Sequence, residues 1–358
     1  MKQASDRFGL FAHGLRLAAA ALLAMAGTAL AASSPTVPPM DAAPRTDSDA
    51  AAMSEALAKA NAAVVGVRSI AVDDARSIDT LGRFREGTGV VIAPGGLILT
   101  IGYLILEADR VDLIIEGRRV VPASVVAYDL ATGFGLLQAL TPLDLPPARL
   151  GNSSALSEQE PLMISSGGED AGLSLARLVS RRAFSGYWEY HIEGALFTSP
   201  PRGGHSGAGL FNIHGELLGI GSLMVGDALG PGRPPLPGNM FVPIDLLKPI
   251  LGELRERGAS RSSTRAWLGL SSVEQDGIVR VLRISRDSPA EQAGIRPGDS
   301  ILRIDGFAVD SLATLYKHLW RDGPQREITL EIRRGGQSQT LRLNSVDRMQ
   351  LLSRPKGI

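Results

Sequence analysis

The segment Gly203-Gly204-His205-Ser206-Gly207-Ala208-Gly209 places one hydroxyl inside a glycine-dense turn that runs into the apolar pair Leu210 and Phe211. Glycines let backbone N–H groups converge on one point, and a hydroxyl beside them has the parts of an acyl-transfer site, a nucleophile and an oxyanion hole. Gly-Ser turns without catalysis share this composition, so the segment alone leaves both readings open. A serine attacks a carbonyl only when a base takes its proton, and histidine is the side chain suited to that near neutral pH. The chain has five histidines. His13 lies in the leader, His318 in the second half, and His205 adjoins the serine in a turn where consecutive side chains diverge. His191 in an apparent strand and His214 in a hairpin turn read as surface or packed residues rather than as a base. Tyrosine, with an ordinary pKa of about 10, is mostly protonated at neutral pH and poorly poised for the role.

The elements that must carry this turn are short. The chain has 358 residues, 44% hydrophobic and only 5% aromatic, with Gly 41 and Pro 22, which predicts two cores built from short strands and many turns. Lys plus Arg and Asp plus Glu are 37 each, so no basic excess exists for nucleic acid, and none is expected as a partner. The absence of cysteine removes a disulfide framework, a thiolate metal site and a cysteine nucleophile together. No cofactor or metal is expected. Lys2, Arg7 and Arg16 precede an apolar run over 17–31 that ends in Ala29-Leu30-Ala31, which reads as a cleavable signal peptide over 1–31. An uncleaved membrane anchor is the alternative, for which the run is short. Either places the chain in the periplasm or outside the cell.

Residues 32–50 read as a disordered, Pro- and Ser-containing linker, and 51–63 as a short helix. From Val64 onward, short apolar runs are bounded by glycines: 64–67, 89–92, 97–101, 111–115, 120–127, 135–140, 162–165, 187–192, 209–213, 217–224 and 240–242. That spacing predicts a barrel or sandwich rather than a βαβ protein. Asp245 as cap, with Leu246, Leu247, Ile250, Leu251 and Leu254 on one face, predicts a helix ending at Gly258. The polar, Ser-rich stretch 257–265 is the best boundary, a linker between a body over 51–256 and a module over 266–344. The remainder, 345–358, reads as a loose tail.

The order of several segments resembles the HtrA-type serine proteases, a trypsin-like double β-barrel followed by a C-terminal PDZ domain. The carriers are Ala62-Ala63-Val64-Val65-Gly66-Val67 for the entry strand, Gly87-Thr88-Gly89 with Leu97-Ile98-Leu99-Thr100 before the histidine, and Tyr128-Asp129 before Gly135-Leu136-Leu137 for the aspartate strand. Gly204-His205-Ser206-Gly207 resembles the nucleophile turn, and Phe241-Val242-Pro243-Ile244-Asp245 the closing strand. The implied fold class is mainly β, with an α+β second module. The resemblance assigns Ser206 as nucleophile and Gly204, His205 and Ser206 as the oxyanion hole. It also exposes two departures: the histidine position is Tyr103, and the aspartate position is Gly133. Asp129 matches a separate family aspartate and does not replace the missing acid. Loss of a triad member costs roughly a millionfold in turnover.

In the second module, Trp267-Leu268-Gly269-Leu270 resembles the carboxylate-binding loop of a PDZ domain, whose glycine lets successive N–H groups point at one carboxylate. The run Asp287-Ser288-Pro289-Ala290-Glu291-Gln292-Ala293-Gly294 continuing to Leu302 is similar to the PDZ core of the same family, with Ser288 as helix cap. By the resemblance, Leu312, Leu315 and Leu319 line the peptide groove; filling the module's core is the equal alternative for each. The implied function is a pseudoprotease that binds C-terminal or unfolded protein segments in envelope quality control, alone or with an active HtrA-type relative. Homo-oligomerisation is left open. The rival expectation is an active serine endopeptidase using Ser206 with a non-standard base. A third is a PDZ module that only docks on the barrels.

Overall fold

Beta-branched and leucine-rich segments separated by glycine turns pair with their sequence neighbours, which favours antiparallel meanders closed into barrels over open sheets with exposed edges. The computed structural model of the chain describes residues 47–353 apart from 117 and 262. The expected signal peptide lies outside the described residues. The helix α1 (Asp47–Ala62) begins inside the stretch expected as linker. Ala50, Ala51 and Ala52 are strong helix formers behind an Asp-Ser-Asp start, which explains the earlier boundary.

Strands β1 (Val64–Ala71), β2 (Phe84–Ala93), β3 (Leu97–Ile101), β4 (Ala108–Ile115), β5 (Arg119–Tyr128) and β6 (Phe134–Ala139) close a barrel in the order β1-β2-β3-β6-β5-β4. A one-turn helix α2 (Ile78–Leu81) interrupts the first connection. All five residues of β3 are buried, and the chain leaves it directly into a 3-10 turn, Gly102–Leu104, which carries Tyr103. The second body is a seven-stranded sheet of β7 (Arg149–Leu150), β8 (Pro161–Ser166), β9 (Gly172–Gly186), β10 (Tyr190–Ser199), β11 (Gly209–Phe211), β12 (Glu216–Val225) and β13 (Gly238–Pro243). Its order is β11-β8-β9-β10-β13-β12-β7, and β11 also pairs with β12, which closes the ring. Phe134, Leu136, Leu137, Phe197 and Phe211 belong to one apolar core that draws on both barrels, and Phe241 to a smaller one within the second.

After α3 (Leu251–Arg257) come β14 (Ala266–Trp267), β15 (Leu270–Gln275), β16 (Ile278–Ile284), α4 (Pro289–Gln292), β17 (Ser300–Ile304), β18 (Phe307–Ala308), α5 (Leu312–Leu319), β19 (Glu327–Arg334), β20 (Gln337–Asn344) and β21 (Val346–Asp347). The order β15-β16-β17-β19-β20 forms the module's sheet, and β14 pairs with β21. The Ser288 hydroxyl accepts from the Glu291 N–H at the start of α4, as its position before Pro289 predicts.

Four expectations need correction. Asp245 caps no helix: its carboxylate accepts from the Ser153 hydroxyl and the Ser154 N–H, and α3 starts only at Leu251. The longest strand, β9, was not among the expected ones, because its burial alternates instead of forming a continuous apolar run. The connector 257–265 is not a solvated spacer. Ser260 and Ser263 are buried, and both hydroxyls donate to Asp129 Oδ1 in the first barrel. The described part of the tail is ordered as well: β21, then a 3-10 turn Arg348–Leu351, then a Ser353 N–H that donates to Glu107 Oε1 at 2.8 Å. Barrels and module belong to one compact unit.

Candidate functional site

Ser206 sits where the two barrels meet. Its carbonyl accepts from the Thr88 N–H (2.8 Å) on the first barrel, and the Gly207 N–H donates to the Gly221 carbonyl (2.8 Å) on the second. Gly207 is at φ 78°, and a Cβ there would come within 2.0 Å of the Thr88 carbonyl oxygen, so no other residue fits the junction. Tyr103 Oη lies 2.8 Å from Ser206 Oγ and 2.8 Å from the Ser222 carbonyl oxygen. A carbonyl can only accept, so the single phenolic proton goes to Ser222, and Ser206 donates its own proton to Tyr103.

That arrangement imitates a serine–base hydrogen bond without supplying a base. Burial pushes the Tyr103 hydroxyl up to about 12, against a smaller opposite pull from its bond with Ser206. The phenolate that could take a proton is then on the order of one molecule in 10⁵ at pH 7. Among the described residues no imidazole bonds Ser206. His191 is held by Ser185 Oγ (2.8 Å) and Glu193 (3.1 Å), and the ring of His318 stacks on Phe307. His205 Nδ1 is buried without a partner, and burial lowers its pKa. The His214 N–H closes the turn at Asn212, on the far side of β11 in sequence.

The position that the resemblance gives to the acid is closed by a different side chain. Gly133 is at φ 80°, and a Cβ there would lie 2.9 Å from Tyr190 Oη. The Tyr190 hydroxyl donates to the Thr132 carbonyl (2.8 Å), so it is fixed in that space. Asp129 is fully buried, accepts from the Thr132 N–H (2.8 Å) and receives the two connector hydroxyls; it serves the connector, not the serine. In the turn that the resemblance assigns to the oxyanion hole, the N–H groups of Gly204, His205 and Ser206 donate to no backbone carbonyl among the described residues. Asp170 packs on Gly204, however, with its Oδ2 3.1 Å from the position of a Cβ there, and a carboxylate beside the turn opposes negative charge in it.

The predicted carboxylate loop has the backbone expected of it and holds a carboxylate. Gly269 is at φ 84°, tight against Ser288. The Leu270 N–H donates to Glu189 Oε1 (2.8 Å), and the Leu268 N–H lies 3.3 and 3.2 Å from the two Glu189 oxygens. Burial pushes this carboxyl up to about 7, against the loop N–H groups and Arg348, which pull it down. Trp267 pairs with Val346 beside the loop. Leu312, Leu315 and Leu319 are buried in the module's apolar core. Two residues of α5 meet the barrel: Lys317 pairs with Glu193 (2.8 Å), and the Tyr316 hydroxyl donates to the Gly186 carbonyl (2.7 Å) and accepts from the Glu189 N–H (3.2 Å). Sequence reasoning missed Glu189, Tyr190 and Tyr316. The signal available was Tyr187-Trp188-Glu189-Tyr190, an acid among aromatics in a segment read simply as a strand.

Two barrels joined at a serine turn, followed by a module with a carboxylate loop, define a trypsin-like peptidase fold carrying a PDZ domain. The family model for the trypsin-like peptidase domain matches residues 87–220, and that for the PDZ domain matches 266–344. The chain is 27% identical to the probable periplasmic serine endoprotease DegP-like of Hahella chejuensis, over 70% of this chain and 54% of that protein. It is 27% identical to the serine endoprotease DegS of Haemophilus influenzae, over 81% of this chain and 86% of that one. It thus spans about half the length of the DegP-like relative. Among solved structures, the HtrA-type protease AlgW with decapeptide superposes with a TM-score of 0.51 at 21% identity, over 83% of this chain and 98% of that chain. The chain thus carries a trypsin-like peptidase domain followed by a PDZ domain and has HtrA-type proteases among its relatives.

Proposed function

We propose that this chain is an exported HtrA-type pseudoprotease, which keeps the serine turn and the PDZ domain but has no proton relay. It holds C-terminal or exposed segments of other envelope proteins, acting in quality control or as a regulator of an active relative. The observation that carries the reading is the Tyr103 hydroxyl at 2.8 Å from Ser206 Oγ, in the place of an imidazole. The closed acid position at Gly133 supports it independently. Export to the periplasm rests on the apolar N-terminal run and on the periplasmic relatives by name. Peptide capture rests on the PDZ match and on a loop whose N–H groups already converge on a carboxylate.

The test is incubation of the full chain with unfolded casein and, separately, with a fluorophosphonate probe. Neither cleavage nor labelling of Ser206 is expected. Cleavage that disappears in Ser206→Ala would establish the rival reading, an active endopeptidase with a non-standard base.

A further inference from the structure

The tip of the β9–β10 hairpin occupies the module in the way an added peptide does. Peptides bind such modules by laying backbone along an open strand edge and putting a terminal carboxylate into the loop. Here the Ser272 N–H of β15 donates to the Tyr187 carbonyl (2.9 Å), two residues before the Glu189 carboxylate that receives the loop N–H groups. Tyr316 of α5 brackets the same segment through Gly186 and Glu189, and Arg348 donates to the Trp188 carbonyl (3.3 Å). Glu189 is 7% exposed, so its carboxylate is covered by the module rather than by water.

The backbone adds an independent observation. Gly186 to Tyr190 is a three-residue hairpin loop, and Glu189 at its end is at φ 55°. That position of such a loop favours glycine, and a residue with a long side chain is strained there. Strain of this kind persists where the side chain is used elsewhere. The use visible in the fold is the seat in the loop.

We propose that residues 186–190 are an intramolecular ligand of the PDZ groove, with the Glu189 carboxylate standing in for a chain terminus, so that an external C-terminal carboxylate binds only by displacing it. This rests on the reading of the PDZ domain as a peptide-capturing module. A groove open in only a fraction of molecules shows an affinity reduced by that fraction. Glu189→Gly removes the carboxylate and relieves the φ strain, so the hairpin itself should persist.

The experiment uses the full chain and its Glu189→Gly variant on an array of decapeptides with randomised sequence, each with a free C-terminus and as its C-terminal amide. Amide hydrogen exchange at residues 268–272 is followed on both proteins. The expected result is exchange faster by about tenfold or more at 268–272 in the variant, with the β9–β10 ladder unchanged, and free-acid peptides bound about tenfold or more tighter by the variant. Amidated peptides should bind neither protein. Equal peptide binding and equal exchange in the two proteins would overturn the internal ligand while leaving peptide capture intact. Faster exchange in the variant with no peptide bound by either protein would overturn peptide capture, and with it displacement, leaving Glu189 as a docking contact only.

Discussion

Returning an acid to position 133 should be costly, and the cost should depend on one oxygen atom. A Cβ on Gly133 would lie 2.9 Å from Tyr190 Oη, but 3.4 and 3.5 Å from the ring atoms Cε2 and Cζ. An aspartate at φ 80° costs about 1 kcal/mol. Relieving the 2.9 Å contact pulls the hydroxyl off the Thr132 carbonyl and leaves a buried acceptor unpaired, about 2 kcal/mol more. Gly133→Asp alone is therefore expected to lose about 3 kcal/mol, and Tyr190→Phe alone about 2 kcal/mol through the same hydrogen bond. In the double variant that bond is lost only once and the nearest ring carbon is at an ordinary contact distance. Its loss should be about 3 kcal/mol instead of the additive value of about 5, a coupling of about 2 kcal/mol. Urea unfolding of the four proteins by tryptophan emission measures this directly, since the Trp188 ring stacks on Tyr190 at 5.6 Å. Additivity within about 0.5 kcal/mol would show that Tyr190 does not exclude an acid from the position.

Two further outcomes follow from buried carboxylates. Glu189 titrates at about 7 when docked, against 4.5 for a free glutamate, and it faces Arg348 and the Tyr316 phenol. A raised value means that the docked form keeps a proton the released form has lost, so docking is strongest below pH 4.5 and weakens as pH rises through about 7, by about 3 kcal/mol in all. Exchange at residues 268–270, corrected for intrinsic rates, should be less protected at about pH 8.5 than at about pH 6; equal protection would contradict the assignment. Asp129→Ala removes the carboxylate that accepts from the Ser260 and Ser263 hydroxyls and from the Thr132 N–H, and should cost about 3 kcal/mol. Trypsin should then cut sooner at Arg261 or Arg265, and an unchanged cleavage rate there would count against the anchoring role.

The strands that could be read in advance are those buried on both faces. β3 has the expected bounds because a continuous apolar run between glycines, buried at every residue, admits few other structures. β9 was illegible for the opposite reason: Arg177, Arg181 and Arg182 interrupt its apolar residues along a strand that is largely part-exposed. At the site, Tyr103, Gly133 and Ser206 were legible as positions because they fall in or beside glycine-marked strands and turns of fixed order. What occupies the space around them was not. The phenol's proton direction depends on the Ser222 carbonyl, over a hundred residues away, and the closure at Gly133 on Tyr190 in the other barrel. Likewise the loop at 267–270 declares a carboxylate seat locally, while its occupant comes from β9–β10, a contact set only by tertiary packing.

The short pair β14–β21 brings the entrance and the exit of the PDZ domain side by side, with Asp129 gripping the chain just upstream and Glu107 gripping it just downstream. A module moored by both of its ends cannot swing away on a leash to forage at a distance. As long as both moorings hold, whatever enters its groove stays beside the barrels.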